Sequence, residues 1–172
     1  TSREDLGRCD PGSMNRLVRR CAELHLEHIA TSGDPFEVGS ARPLDFGHWA
    51  AHKLETLTEH RLRHGEAVAI GMAIDTLYAV SVGLSTEDDG QAILETLRGL
   101  GLPLWDEALE LAGSDGRLRV LAGLGEFREH LGGELTVTLV RAPGSPLEVH
   151  EMDEARVVAA IARLRGAERE RT

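Results

Sequence analysis

Apolar residues recur along most of this chain at the three-to-four-residue spacing of amphipathic helices. After Ser13, which can serve as an N-cap, Leu17, Val18, Cys21, Leu24 and His28 predict a helix to about Ala30. Residues 31–43 (TSGDPFEVGSARP) are turn chemistry throughout. Residues 45–60 (DFGHWAAHKLETLTEH) predict a second helix with Asp45 as its N-cap, and 61–63 a short connection. From His64 to Val82 the pattern is apolar nearly all round, which places that helix at the centre of the domain, with Gly83 ending it. Ser85 is the expected cap of a helix running to about Arg98, and shorter helices are expected over 103–112 and 116–131. The period then changes. Residues 134–140 (ELTVTLV) alternate and are β-branched, and 147–150 can pair with them across Ala142-Pro143-Gly144-Ser145. Asp153 then caps a last helix to about Arg165. The expected fold class is mostly α, with one small late β-hairpin. Residues 1–12 read as a linker or the end of a longer upstream part, 13–166 as the domain, and 167–172 as a charged tail.

The composition narrows the function classes. The 172 residues carry a formal charge of -10, which argues against a nucleic-acid or anionic-membrane surface. Only 3% are aromatic, so the core must be built from Leu, Val, Ile and Ala. No run approaches the ~20 apolar residues of a membrane span. Cys9 and Cys21 are too few for a disulfide scaffold, and with no signal-peptide pattern the expected address is cytoplasmic.

The histidines carry the chemistry. Four of the eight, His48, His52, His60 and His64, fall within 17 residues. His48 and His52, at i and i+4, share one helix face and on spacing alone would be a two-nitrogen metal pair. His64 opens the next helix and folds back toward that face, where free N–H groups also suit a phosphate. His60 sits in a polar connection and reads as solvated, while His25 and His28 read as structural.

The run LDFGHWAAHKLE at 44–55, followed by HGEAVAIGM at 64–72, resembles the metal-binding half of the dehydroquinate synthase-like, or sugar phosphate cyclase, family. Asp34, Glu37 and Arg42 stand roughly where that family has an acidic-to-arginine stretch before the motif. The wording RPLDFGHWAAHKLE is similar to a divergent, EboD-type branch. The resemblance implies the helical C-terminal domain of that fold, with the NAD-binding α/β domain absent from this chain. It implies zinc, or another divalent metal, on His48 and His64, and changes the assignment made from spacing: His52 becomes the catalytic, proton-transferring residue facing substrate. It implies substrate contacts at Arg42 and Asp45, with Arg128 and His130 as candidates near the hairpin. Glu66 is read two ways, as an orienter of a ligand histidine or as favourable charge in a first helical turn. The implied reaction is NAD-dependent oxidation, phosphate elimination, reduction and aldol closure of a sugar phosphate. NAD would be held mainly by the missing domain, so no cofactor-binding residue is assigned here and the fragment alone is expected to be inactive. Family members are often dimers, which makes a homodimer the expectation for a full-length protein.

Some positions depart from the family pattern. The only lysine is Lys53, inside the signature helix, and by counting back from His48 an expected substrate lysine falls at Glu27. A carboxylate there inverts the local field on an anionic substrate, which favours a sugar phosphate lacking a carboxylate, such as a sedoheptulose phosphate. Two alternatives remain open: the C-terminal domain of an iron-type alcohol or glycerol dehydrogenase, and a non-catalytic helical remnant.

Overall fold

The computed structural model describes residues 3–31, 43–130 and 133–170. Asp34, Glu37 and Arg42, expected near the site, lie outside the described residues, as does the side chain of His130. Helices α1 (Arg3–Gly7) and α2 (Pro11–Thr31) open the chain. A 3-10 turn at Pro43–Asp45 leads into α3 (His48–Leu57), α4 (His64–Ser81) and α5 (Glu87–Gly99). Two further 3-10 turns, Glu107–Glu110 and Arg119–Leu121, precede α6 (Ala122–His130). The antiparallel strands β1 (Val137–Ala142) and β2 (Ser145–Val149) form the hairpin, and α7 (Glu154–Arg169) closes the fold. The domain is mostly α with a single late hairpin among the described residues.

Helix α4 occupies the centre because no face of it suits water. It packs against α3, α5, α7 and β1. Ala67, Ile70, Ala73, Ile74 and Ala79 are fully buried, and Trp49, Leu54, Leu139 and Val157 come to meet them from the flanking elements. Burying each large apolar side chain contributes roughly 1.5–3 kcal/mol. The hairpin pairs Val137 with Val149 and Leu139 with Leu147, turning at Gly144 (φ +83°). Asp153 caps α7 as expected, accepting from the backbone N–H of Ala155 at 2.8 Å and of Arg156 at 3.3 Å.

Other caps differ from expectation, each for a local reason. Asp10 caps α2 instead of Ser13: its Oδ2 accepts the Ser13 N–H at 2.8 Å, and Pro11 takes the first helical position, where it needs no N–H. Thr86 caps α5 instead of Ser85, accepting from Asp89 N–H at 3.1 Å, while the Ser85 hydroxyl donates to the Arg141 carbonyl at 2.8 Å. Asp45 does not cap α3: it lies in the 3-10 turn, and Gly47, with φ +82°, makes the entry. Within the stretches expected as linker and tail, Arg3–Gly7 are helical and α7 runs on to Arg169. The apolar pattern of α2 gives a helix whose Leu17, Val18, Leu24 and Leu26 stay exposed.

The closest packing lies between α4 and the entry to α3. A β-carbon on Gly47 would stand 2.5 Å from the Met72 nitrogen and 2.8 Å from the Val68 oxygen, and one on Gly71 would run into the Gly47 carbonyl. Neither position accepts a side chain. One turn further along α4, the fully buried Asp75 accepts two hydrogen bonds, from the Gly47 N–H at 3.0 Å and the Trp49 indole N–H at 2.8 Å. Burial pushes its carboxyl up to about 7, against the downward pull of the two donors.

Gly71→Ala is expected to destabilise the chain by about 3 kcal/mol or more, because backbone rather than a flexible side chain must yield. Gly166→Ala, at a helical position with open space around it, is expected to stabilise by roughly 0.5–1 kcal/mol. Urea unfolding of both variants checks the pair. Asp75 also sets a pH dependence: the unfolded chain releases this proton near 3.8, whereas the folded chain keeps it to about 7. Its contribution is therefore complete below 3.8 and is lost as the pH rises through about 7. The unfolding free energy of the native chain minus that of Asp75→Asn should decline across this window, and a flat difference would contradict the assignment.

Candidate metal centre

Helix α3 begins at His48, so its first turn presents His48 and its second His52, on the face expected from their spacing. The connection to α4 is short because Glu59 and His60 take left-handed conformations (φ +51° and +61°), reversing the chain within a few residues. His60 itself is exposed. The reversal brings His64, the first residue of α4, back beside α3. The imidazole centroids lie 5.6 Å apart for His48–His52, 5.3 Å for His48–His64 and 6.1 Å for His52–His64. The fold therefore gathers the three histidines singled out from the sequence.

Their surroundings differ. His48 is half-buried, and its Nδ1 lies 3.4 Å from the Phe46 carbonyl oxygen. Burial holds its pKa below the usual histidine range, partly offset by the Phe46 carbonyl and by the charge of Asp45. The neutral form that a metal requires is favoured. The Nδ1 of His64 lies 3.3 Å from Glu55 Oε2. In both residues an acceptor faces Nδ1, which favours the proton there and leaves the Nε2 lone pair outward. His52 is exposed, with its ring 6.4 Å from that of Phe127 on α6.

The donor set suits a divalent metal such as zinc on two counts: burial favours the neutral form of His48, and a carboxylate stands behind His64. His48 and His64 are the residues that could hold it. Among the described residues no group of three or more His, Cys, Asp or Glu side chains is set around one point, so the two histidines form a partial ligand set here.

Glu55, not Glu66, stands behind His64. Glu66 is tied instead to Arg63: it accepts the Arg63 backbone N–H at 2.9 Å and Nε–H at 3.0 Å, which brings its carboxyl down to about 2. Of the two readings of Glu66, first-turn charge is the one its contacts match. The sequence signal for Glu55 was its place at i+7 from His48 and i+3 from His52, on the histidine face. Asp75 was also missed, and its signal was a carboxylate beyond the first turn of an otherwise apolar helix.

The remaining candidates disperse. Asp45 is half-buried in the turn before α3, close enough for its charge to act on His48. Lys53 is committed to Glu126 on α6 at 2.5 Å. Glu27 lies on the exposed part of α2. Arg128, with Arg117 and His150, lines a cleft of about 690 Å³ between α6, the hairpin and the start of α7, and the three clustered histidines are not among its walls. Cys9 and Cys21 are exposed free thiols, and no described helix is long and apolar enough to cross a membrane.

Comparison with known proteins gives this geometry a context. The chain is 33% identical over 164 residues to a 2-epi-valiolone synthase of Actinosynnema mirum, covering 94% of this chain and 42% of that protein. It is 29% identical over 159 residues to a 3-dehydroquinate synthase of Corynebacterium jeikeium, covering 92% and 41%. Among solved structures it resembles ValA, a 2-epi-5-epi-valiolone synthase from Streptomyces hygroscopicus subsp. jinggangensis with NAD+ and Zn2+ bound. That match has a TM-score of 0.78 at 30% identity, over 94% of this chain and 42% of the other. The chain thus spans about two fifths of the length of the relatives it matches. The family model for the C-terminal part of 3-dehydroquinate synthase matches residues 1–117, the stretch that contains the whole histidine cluster. On that match, and on relatives and a solved structure that align across nearly its full length, this chain belongs to the 3-dehydroquinate synthase C-terminal family.

Proposed function

We propose that this chain is the metal- and substrate-binding part of a sugar phosphate cyclase, with His48 and His64 as metal ligands and His52 as the proton-transferring residue. The observation that carries the reading is the convergence of the three imidazoles at the α3–α4 junction, with the Nδ1 atoms of His48 and His64 facing acceptors. The names of the relatives support the class, since both 3-dehydroquinate synthases and valiolone synthases are among them. The NAD+ and Zn2+ bound to ValA support the cofactor types.

When bound, zinc acidifies a coordinated hydroxyl and steadies oxyanion charge, and NAD accepts and returns a hydride. The chain's own residues orient and move protons. Glu55 holds the His64 ring in one tautomer, and the Phe46 carbonyl does the same for His48. His52 is exposed beside them, where its imidazole can take a proton from a substrate oxygen and return it. Asp45, in the turn before α3, is the proposed contact for substrate hydroxyls, and the N-terminus of α4 at His64 and Gly65 offers N–H groups to a phosphate. Arg42 and His130 complete the proposed substrate set. We place the substrate among sugar phosphates without a carboxylate, because Glu27 stands where the family resemblance calls for a lysine.

Zinc titration of the chain, followed by calorimetry with a competing chelator, tests the assignment. His48→Ala and His64→Ala are each expected to weaken binding at least tenfold, which is about 1.4 kcal/mol, while His52→Ala stays within threefold of the native chain. Losses in His48→Ala and His52→Ala with His64→Ala spared would point to the spacing-based His48–His52 pair, and equal losses in all three to a shared non-specific site. No binding by the native chain would remove the metal assignment for this chain.

A further inference from the structure

Asp75 is the one fully buried carboxylate among the described residues, and the proposed chemistry makes no use of it. Its two oxygens do different jobs on either side of His48. Oδ2 accepts the backbone N–H of Gly47, the residue before His48, and Oδ1 accepts the indole N–H of Trp49, the residue after it. The two bonds therefore bracket the histidine along the chain. Gly47 is also pressed against Gly71, one helical turn before Asp75 on α4, so the entry of α3 is fixed by backbone contact and by the carboxylate together. The His64 ring rides on the first turn of that same α4.

We infer that Asp75 is a positioning residue for the metal centre: by gripping the main chain before His48 and the side chain after it, it sets where the His48 imidazole stands relative to His64. Two donors require two acceptors, and an aspartate supplies one oxygen to each. An asparagine of the same shape has a single acceptor oxygen and turns an N–H₂ toward the second donor, so one of the two bonds must break. Trp49→Phe removes only the indole donor and leaves the Gly47 bond, so the two substitutions separate the main-chain grip from the side-chain grip. The inference rests on the metal reading above, but its geometry can be tested without it.

The experiment measures Zn2+ affinity of the 172-residue chain by chelator competition, at a temperature well below the unfolding midpoint of each variant, alongside the ring resonances of the histidines by NMR. Asp75→Asn is expected to weaken zinc at least threefold and to move the His48 ring signals while those of His60 stay in place. Trp49→Phe is expected to cost less than Asp75→Asn. A lower unfolding midpoint in Asp75→Asn with zinc affinity changed by less than threefold would make Asp75 a packing residue only and overturn the inference. If the native chain takes up no zinc, the metal reading fails and the positioning claim is decided by the His48 signals alone: shifted in Asp75→Asn supports it, unshifted overturns it. If Asp75→Asn does not fold, the native chain decides. Zinc should then slow hydrogen exchange of the Gly47 amide and the Trp49 indole, and unchanged exchange of both would overturn the inference.

Discussion

The structure depends on one close approach, that of Gly47 at the head of α3 to Gly71 in the middle of α4. With no β-carbon on either side, the two backbones come into direct contact, and the Gly47 carbonyl occupies the space a side chain on Gly71 would need. The same two residues satisfy different constraints. Gly47 must also adopt a left-handed φ of +82°, which turns the chain from the Pro43–Asp45 turn into α3. Gly71 must leave a gap in the surface of a helix that is otherwise packed on every side. Asp75 then holds what the contact has brought together, through a carboxyl group whose charged form burial disfavours.

The histidine cluster follows from that junction. Once the start of α3 is fixed on α4, the helical rise determines where His48 and His52 stand, and the left-handed pair Glu59–His60 determines how soon the chain returns to His64. Glu55, one turn beyond His52, reaches across the gap to the His64 ring. Side chains from three different turns thus meet, with an acceptor facing Nδ1 of His48 and of His64. A buried polar group such as Asp75 is costly for stability, and here that cost falls beside the segment that carries His48.

Much of this was legible in the amino-acid sequence. Helix α4 declared itself by being apolar all round, the hairpin by its change of period, and α7 by Asp153. The histidine cluster was legible from spacing, while the roles given to its members are what the family resemblance implies. Caps were less legible, because Ser13, Ser85 and Asp45 are all chemically competent, and the choice between them and Asp10, Thr86 and Gly47 depends on where tertiary contacts start the helix. Glu66 and Glu55 were equally available to His64 by composition. Arg63 captured the first through its backbone N–H and its guanidinium within one turn, which left the second for the ring. The Gly47–Gly71 contact and the Asp75 grip join residues 24 and 28 positions apart, where no local pattern operates.

The central claim is that the α3–α4 junction presents His48 and His64, rather than His48 and His52, to a divalent metal. Anomalous diffraction at the zinc edge from zinc-soaked crystals of the chain tests it most directly. One peak is expected about 2.0–2.1 Å from Nε2 of both His48 and His64, with His52 outside bonding distance. A peak bonded to His52 in place of His64, or no peak between the two assigned rings, would contradict it.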